Sequence, residues 1–416
     1  MRRRFFQSPD DRDDLLEREQ RSSSAMQEAA FFLLITVILL MFGLLMLYSA
    51  TYTKAGINMF LKQLIWAGIG GTGFAATVLL GHRFFCMISP LLMVGLVIML
   101  LLPLTVMRTN INGAYRWIVL GPFQIQPSEF AKLVLILFWA DFLSRRPREI
   151  EHSPFKKILL PLGLTFALVG GLVLAGKDLG TTLLLAALFY AVVLFASGIS
   201  FWYPAVFGAL GALGIVAVFN PVCRTFLTKI GLLPAYRLGR LESFQNPELY
   251  EETIGFQLVR SQLALGSGNW FGLGLTESKL KREYLPEKHT DFILSVVGEE
   301  LGFASMIAVM LLYILMIATG FLVSLKARTR QGMLLAFGVS TLLGLQAFIN
   351  IGVICGALPT KGMPAPFISY GGSSLITCLT AVGLVFSVAL DKSYPDYPEL
   401  LRQKTKNFFR KDKKSS

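Results

Sequence analysis

Apolar runs of about 20 residues recur along this chain, each closed by a charged or glycine-rich break. A run of that length crosses the roughly 30 Å hydrocarbon core of a bilayer as a helix. Inside lipid, only a helix or a closed barrel satisfies the backbone without water. The runs fall at about 27–49, 59–80, 84–107, 127–144, 157–175, 179–197, 199–219, 292–324, 332–356 and 369–390. They predict an all-α integral membrane protein of about ten transmembrane helices, with a large loop between the seventh and eighth. Ser197, Gly198, Ile199 and Ser200 form a thin divider, so runs six and seven also read as one long stretch. Composition agrees: charged residues make up 16% of the 416, against roughly 25% in a soluble domain.

The breaks give the orientation. Arg2, Arg3, Arg4, Arg12, Arg18 and Arg21 precede the first run. Arg145, Arg146, Arg148, Lys156 and Lys157 follow the fourth, Lys326, Arg328 and Arg330 follow the eighth, and RKDKK (410–414) closes the chain. An even number of spans puts all of these on one side, which the positive-inside rule makes the cytoplasm. The expected organisation is a cytoplasmic N-terminal tail (1–26), a membrane domain (27–391) containing an extracytoplasmic loop (220–291), and a basic cytoplasmic tail (392–416). Residues 1–25 lack an apolar core and are expected to be a tail rather than a cleaved signal. The net charge of +13 therefore reads as loop charge beside a membrane, with no nucleic-acid partner. Four cysteines (Cys86, Cys223, Cys355, Cys378) have no paired spacing and suggest neither a disulfide framework nor a zinc site.

The 220–291 loop is polar, carries many cations, and ends in YLPEKHTDF (284–292). Asp291 stands where the eighth run begins. A carboxylate at the mouth of a membrane domain, downstream of Lys279, Lys281, Arg282 and Lys288, suits chemistry on an anionic ligand. It also suits a helix N-cap. Glu299 and Glu300 follow about two turns later and are expected near the outer interface, facing protein. GFQLVRSQLAL (255–265) reads as a short amphipathic helix on the membrane surface or over a cavity.

Other polar clusters lie at predicted outer ends. NGAYRWI (112–118) carries Arg116. QPSEFAKL (126–133) places Glu129 in a first turn, where an acid is an ordinary start signal, and Lys132 one turn deeper, where it needs a partner. GKDLGTT (176–182) carries Lys177 and Asp178, in what also reads as a solvated hairpin. NIGVICGALPTKGMPAPFISYGGSS (350–374) holds three prolines that forbid a regular helix, together with Lys361 and Ser369. Such backbone is tolerated at membrane depth only against protein or water.

Together NGAYRWI, QPSEFAKL, GKDLG, YLPEKHTDFILSVVGEELG and ALPTKGMPAPFISYGGSS resemble the SEDS family of polytopic cell-wall polymerases. YLPEKHTDF, GEELG and LPTKG look like its division branch, FtsW, with the elongation branch, RodA, as the close relative. The resemblance implies a peptidoglycan glycosyltransferase of the inner membrane that polymerises lipid II on the outer face, at the division septum. It implies Asp291 as the catalytic residue. Lys281, Lys361, Arg116, Glu129, Lys132, Asp178 and Ser369 would then line a cavity for the substrate and its pyrophosphate. A divalent cation (Mg or Mn) held by carboxylates would be an alternative to basic side chains for stabilising the leaving group. The implied partners are lipid II, membrane lipid, a class B penicillin-binding protein transpeptidase and other divisome proteins. Runs eight and nine, with Gly302, Ala304 and Ser305, are the expected contact for the transpeptidase. Two other readings stay open from the residues: a lipid II flippase, because intramembrane charges and proline-broken segments also build carriers, and a non-catalytic scaffold.

Overall fold

The computed structural model describes residues 9–50, 54–106, 114–121, 123–229, 235–245, 247–250, 255–278, 289–360 and 362–393. In chain order the first helices are α1 (Pro9–Ala50), α2 (Lys54–Leu80), α3 (His82–Met87) and α4 (Ser89–Leu101). A two-residue-turn hairpin follows, β1 (Ile118–Leu120) antiparallel to β2 (Phe123–Ile125), with Val119 opposite Gln124. Next come α5 (Pro127–Ser144), α6 (Pro147–His152), a π turn at Phe155–Leu159 leading into α7 (Leu160–Ala175), and α8 (Leu179–Phe189), which relaxes into a π turn at Tyr190–Phe195. The second half holds α9 (Trp202–Phe219), α10 (Pro221–Lys229), α11 (Ala235–Gln245), α12 (Phe256–Ser267), α13 (Ile293–Leu325), α14 (Arg330–Ile354) and α15 (Gly372–Ser393).

The protein is an all-helical integral membrane protein, and every predicted run is largely helical, nine of the ten following a single helical segment and the third divided between α3 and α4. Seven helical segments among the described residues are long and apolar enough to span a membrane, and Ser89–Leu101 and Leu179–Phe195 are shorter apolar ones. Helix α5 has 18 residues but carries Glu129, Lys132 and Asp141. The divider after run six is a true break, because Gly198 takes φ 75° between α8 with its π turn and α9. The third run is broken at Ile88 rather than continuous. The hairpin before α5 is absent from the sequence reading, since its strands are only three residues long.

Helix α15 is the hub. Its most apolar stretch is 83% buried, whereas that of α9 is 6% buried. Three glycines let α2 and α15 approach closely: a Cβ on Gly70 would meet the Leu379 side chain, one on Gly73 Thr380, and one on Gly383 the Thr77 hydroxyl. In lipid there is no hydrophobic drive between helices, so this contact rests on close packing. The bundle core is continuous from Phe32 and Leu39 of α1 through Trp139 of α5 to Leu342 of α14 and Val385 of α15.

Helix α13 is not a regular helix throughout. Gly302 has φ 76° and ψ −177°, a conformation that is essentially glycine's alone. The break frees backbone groups in a buried setting, and the segment after α12 supplies their partners. Phe303 N–H donates to Asn269 O at 2.8 Å and Ala304 N–H to Trp270 O at 3.2 Å. In the other direction Leu273 N–H donates to Glu299 O and Gly274 N–H to Glu300 O, both at 3.0 Å. Buried backbone groups are almost always paired, and here the 269–274 segment of the loop completes a membrane helix. This revises the expectation for Gly302. A Cβ there would lie 2.4 Å from Gly272 N and 2.5 Å from Trp270 O, so the position is filled by the protein's own loop and is not open to a partner helix.

The amphipathic segment is α12. It buries Leu258, Ser261 and Ala264, and the Ser261 hydroxyl sits 2.7 Å from that of Ser295 and donates to Ile354 O at 3.1 Å. It therefore packs across the N-terminal end of α13 and the C-terminal end of α14.

Candidate active site at the N-terminal end of α13

The cap position of α13 falls on Phe292, and no side chain caps it there. Asp291, one residue earlier, is half-buried where three segments meet. Asn350, near the end of α14, donates from one amide nitrogen to Asp291 O at 2.9 Å and to Met363 O at 2.7 Å. The connector between α14 and α15 crosses the carboxylate so closely that a Cβ on Gly362 would lie 2.8 Å from Asp291 Oδ2. Tyr370 N–H donates to His289 O at 2.8 Å, and the two rings pack edge-on at 5.8 Å. The backbone around Asp291 is thus fixed through the carbonyls of residues 289, 291 and 363, with Gly362 close beside its carboxylate. Lys281 and Lys361 lie outside the described residues.

The connector is rigid for identifiable reasons. The Ser369 hydroxyl accepts the Ala365 N–H at 2.8 Å, so it holds a turn of the connector itself. Phe367 sits at φ 67°, and Tyr313 of α13 donates to Pro366 O at 2.7 Å. Gln63 of α2 clamps the far end, donating to Ser369 O at 3.2 Å and accepting from Gly371 N at 3.3 Å. Sequence reasoning missed Gln63 and Asn350. The available signal was a lone amide in an apolar run, which in lipid has to find a partner.

A second polar cluster surrounds the start of α5. Lys132 Nζ lies 2.6 Å from Glu129 Oε2, one helical turn away, and both are buried. The depth of Lys132 is therefore matched by its own helix. Asp178 caps α8: it accepts from Thr181 N at 3.1 Å, Thr181 Oγ1 at 2.9 Å, Ser128 Oγ at 3.1 Å and Gln126 Nε2 at 3.1 Å. Arg116 Nη1 stands 3.9 Å from Asp178 Oδ1, and its side chain is 28% exposed. Arg116, Tyr115, Ser128 and Asp178 line a small pocket closed by Leu100 and Leu172. The first turn of α15, directly after the connector, reaches the second cluster, since Gln126 N–H donates to the Ser373 hydroxyl at 2.9 Å.

Glu299 and Glu300 are fully buried. Ser278 donates to Glu299 Oε2, and Ser49 of α1 donates to Glu300 Oε2 at 2.5 Å. They face protein and tie the loop after α12 to α1 and α13. No three His, Cys, Asp or Glu side chains converge as a metal site among the described residues. Glu129 and Asp178 are engaged with neighbouring side chains.

The model of the FtsW, RodA and SpoVE cell cycle proteins matches residues 29–394. The chain belongs to this family. It is 37% identical over 355 residues to a probable peptidoglycan glycosyltransferase FtsW of Trichlorobacter lovleyi, covering 84% of this chain and 89% of that one. The corresponding protein of Coxiella burnetii is 36% identical over 361 residues, with 84% and 92% covered. Among solved structures, a chain from work on polymerization and crosslinking by a peptidoglycan synthase complex superposes with TM-score 0.72 at 30% identity, covering 87% of this chain and 98% of that one. The rod shape determining protein RodA of Thermus thermophilus superposes with TM-score 0.63 at 28% identity, covering 87% and 96%. The chain is a multi-pass protein of the inner membrane.

Proposed function

We propose that this protein is a peptidoglycan glycosyltransferase of the FtsW type that polymerises lipid II, with Asp291 as its general base. The observation that carries the reading is the setting of Asp291 in a chain of this family: a half-buried carboxylate at the mouth of a membrane bundle, displaced from the cap position and cradled by a rigid connector.

The chemistry asks little more. The acceptor sugar 4-hydroxyl gives its proton to Asp291 as its oxygen attacks the donor's anomeric carbon. The bond from that carbon to the pyrophosphate oxygen breaks, and the electron pair leaves with undecaprenyl pyrophosphate. One displacement inverts the anomeric centre, so no second carboxylate is needed as nucleophile. General-base assistance of this kind is worth about 10²–10⁴-fold. Charge on the leaving pyrophosphate is met by Lys281, Lys361 and Arg116, because preorganised cations stabilise charge as it develops. The Glu129–Lys132 pair is self-neutralised and supports the wall of the cavity.

On this reading both termini are cytoplasmic, and the 220–291 loop faces outward with the lipid-linked substrate. The work is done at the division septum beside a class B penicillin-binding protein and other divisome proteins. The similarity to a chain from a synthase complex that couples polymerization and crosslinking supports such a partner. Purified protein with its cognate transpeptidase, given lipid II in detergent, should yield glycan strands that lysozyme digests. Translocation of lipid II in vesicles, with no strands formed under any condition, would replace the polymerase with the flippase.

A further inference from the structure

The segment after α12 carries a second feature, unrelated to the fate of Asp291. Residues 261–276 (SQLALGSGNWFGLGLT) contain no Asp, Glu, Lys or Arg, although the loop around them is rich in charge. Five of its large apolar side chains are exposed, Leu263, Trp270, Phe271, Leu273 and Leu275, three of them within 270–273. Phe271 is 88% exposed, Trp270 62% and Leu273 38%. For a loop in water this is a costly arrangement, because large contiguous apolar patches are rare on soluble surfaces.

The patch is continuous with an exposed apolar face of α13. The Trp270 ring packs edge-on against Phe303 at 5.3 Å. Phe303 heads an exposed stripe on α13 that continues through Ile307, Leu311 and Ile314 at helical spacing. The depth also agrees. From Phe303 to Leu325 the helix rises about 34 Å at 1.5 Å per residue, close to the roughly 30 Å hydrocarbon core. Lys326, Arg328 and Arg330 stand just past its other end. The break at Gly302 therefore lies at the upper boundary of the hydrocarbon, and the hydrogen bonds from Phe303 and Ala304 to Asn269 and Trp270 pin the segment at that level. Tryptophan and other aromatic rings concentrate at this depth.

We infer that residues 270–273 form a membrane anchor of the large loop, with Trp270, Phe271 and Leu273 seated in the interfacial layer of the leaflet at the N-terminal end of α13. The occupant of this surface is bilayer lipid rather than protein. The inference rests on the membrane embedding of α13 and not on any role for Asp291. Its consequence is mechanical: Leu273 and Gly274 hold Glu299 O and Glu300 O, so the anchor fixes the depth of the α13 N-terminus, which Asp291 precedes.

The test is a depth measurement on the full chain in vesicles of phosphatidylethanolamine and phosphatidylglycerol. A nitroxide is placed at Phe271→Cys after the exposed Cys223 and Cys355 are changed to serine. Glu248→Cys, exposed elsewhere in the loop, serves as the aqueous control. The anchor predicts that oxygen relaxes the label at 271 severalfold more effectively than a water-soluble nickel chelate, with the opposite order at 248. Nickel dominance at 271 places it in water and overturns the inference. Exclusion of both reagents means that protein, not lipid, covers the site, and overturns it equally. Should the labelled variant fail to fold, vesicles with brominated acyl chains supply the second arm. Quenching of tryptophan emission must fall on Trp270→Phe, and an unchanged quenched fraction would contradict the anchor.

Discussion

Replacing Gly302 with alanine tests how the outer loop and α13 complete each other. Two costs can be read from the structure. The first is conformational: a side chain at φ 76° and ψ −177° carries about 1–3 kcal/mol of strain. The second is steric. The new methyl would lie 2.4 Å from Gly272 N, 2.5 Å from Trp270 O and 2.6 Å from Phe271 N, all backbone atoms that cannot rotate aside. Relief requires the 269–274 strand to withdraw, which breaks the four hydrogen bonds it makes with residues 299–304. At about 0.5–1.5 kcal/mol net for each bond, withdrawal costs roughly 2–6 kcal/mol. The expected loss is therefore about 3 kcal/mol or more, among the larger effects of a single methyl group. Gly171→Ala is the control, because it lies within α7 and a Cβ there meets nothing within 4 Å. Thermal denaturation in one detergent at one scan rate should show Gly302→Ala melting well below the parent and Gly171→Ala at or above it. Equal midpoints for Gly302→Ala and the parent would refute the argument that the loop backbone fills the break.

Three further outcomes follow from the site. Asn350→Ala removes the shared donor to Asp291 O and Met363 O, leaving the buried Met363 carbonyl short of a partner at about 1–3 kcal/mol and the half-buried residue 291 carbonyl at less; polymerisation rate should fall at least tenfold while the protein still purifies as a folded species, and a wild-type rate would remove Asn350 from the cradle. Glu129→Gln or Lys132→Met alone should destabilise by about 3–5 kcal/mol, since each strands a buried charge, whereas the double variant should recover most of it; additive losses in a denaturation series would count against the pairing. Lys281→Gln and Lys361→Gln should weaken use of lipid II more than they weaken stability, read as KM and turnover against thermal midpoint, and unchanged kinetics in both would reduce them to surface charge.

The helical runs were legible because lipid imposes a simple rule on length and polarity, and all but the third, which breaks at Ile88, follow one helical segment. The exceptions have physical causes. The break in α13 was hidden because a glycine within an apolar run looks like any small residue; only the loop that fills the gap reveals its conformation. Gly302 was read as a docking position for the same reason. The β-hairpin escaped because two three-residue strands carry no period to detect. At the site, the burial of Lys132 predicted a partner, and Glu129 one turn away provides it. Asp291 stood out by its place at a helix start, yet its capping alternative could be set aside only with Phe292 seen in the cap position. Ser369 was visible as part of a polar motif, but its hydroxyl turns inward to the Ala365 N–H, a local bond that sequence spacing does not announce. Asn350 and Gln63, which organise the connector, looked like isolated amides until the backbone atoms they hold were known.

The central claim is that the Asp291 carboxylate takes the acceptor proton, and one substitution addresses it directly. Asp291→Asn keeps the size of the side chain and leaves the Asn350 bond to the residue 291 carbonyl in place, but an amide cannot accept the proton. Initial rates of lipid II polymerisation by purified parent and variant, each with the cognate transpeptidase, should differ by about 10²-fold or more, with matching thermal midpoints and matching association with the partner. Strand synthesis by Asp291→Asn at the parent's rate would contradict the account.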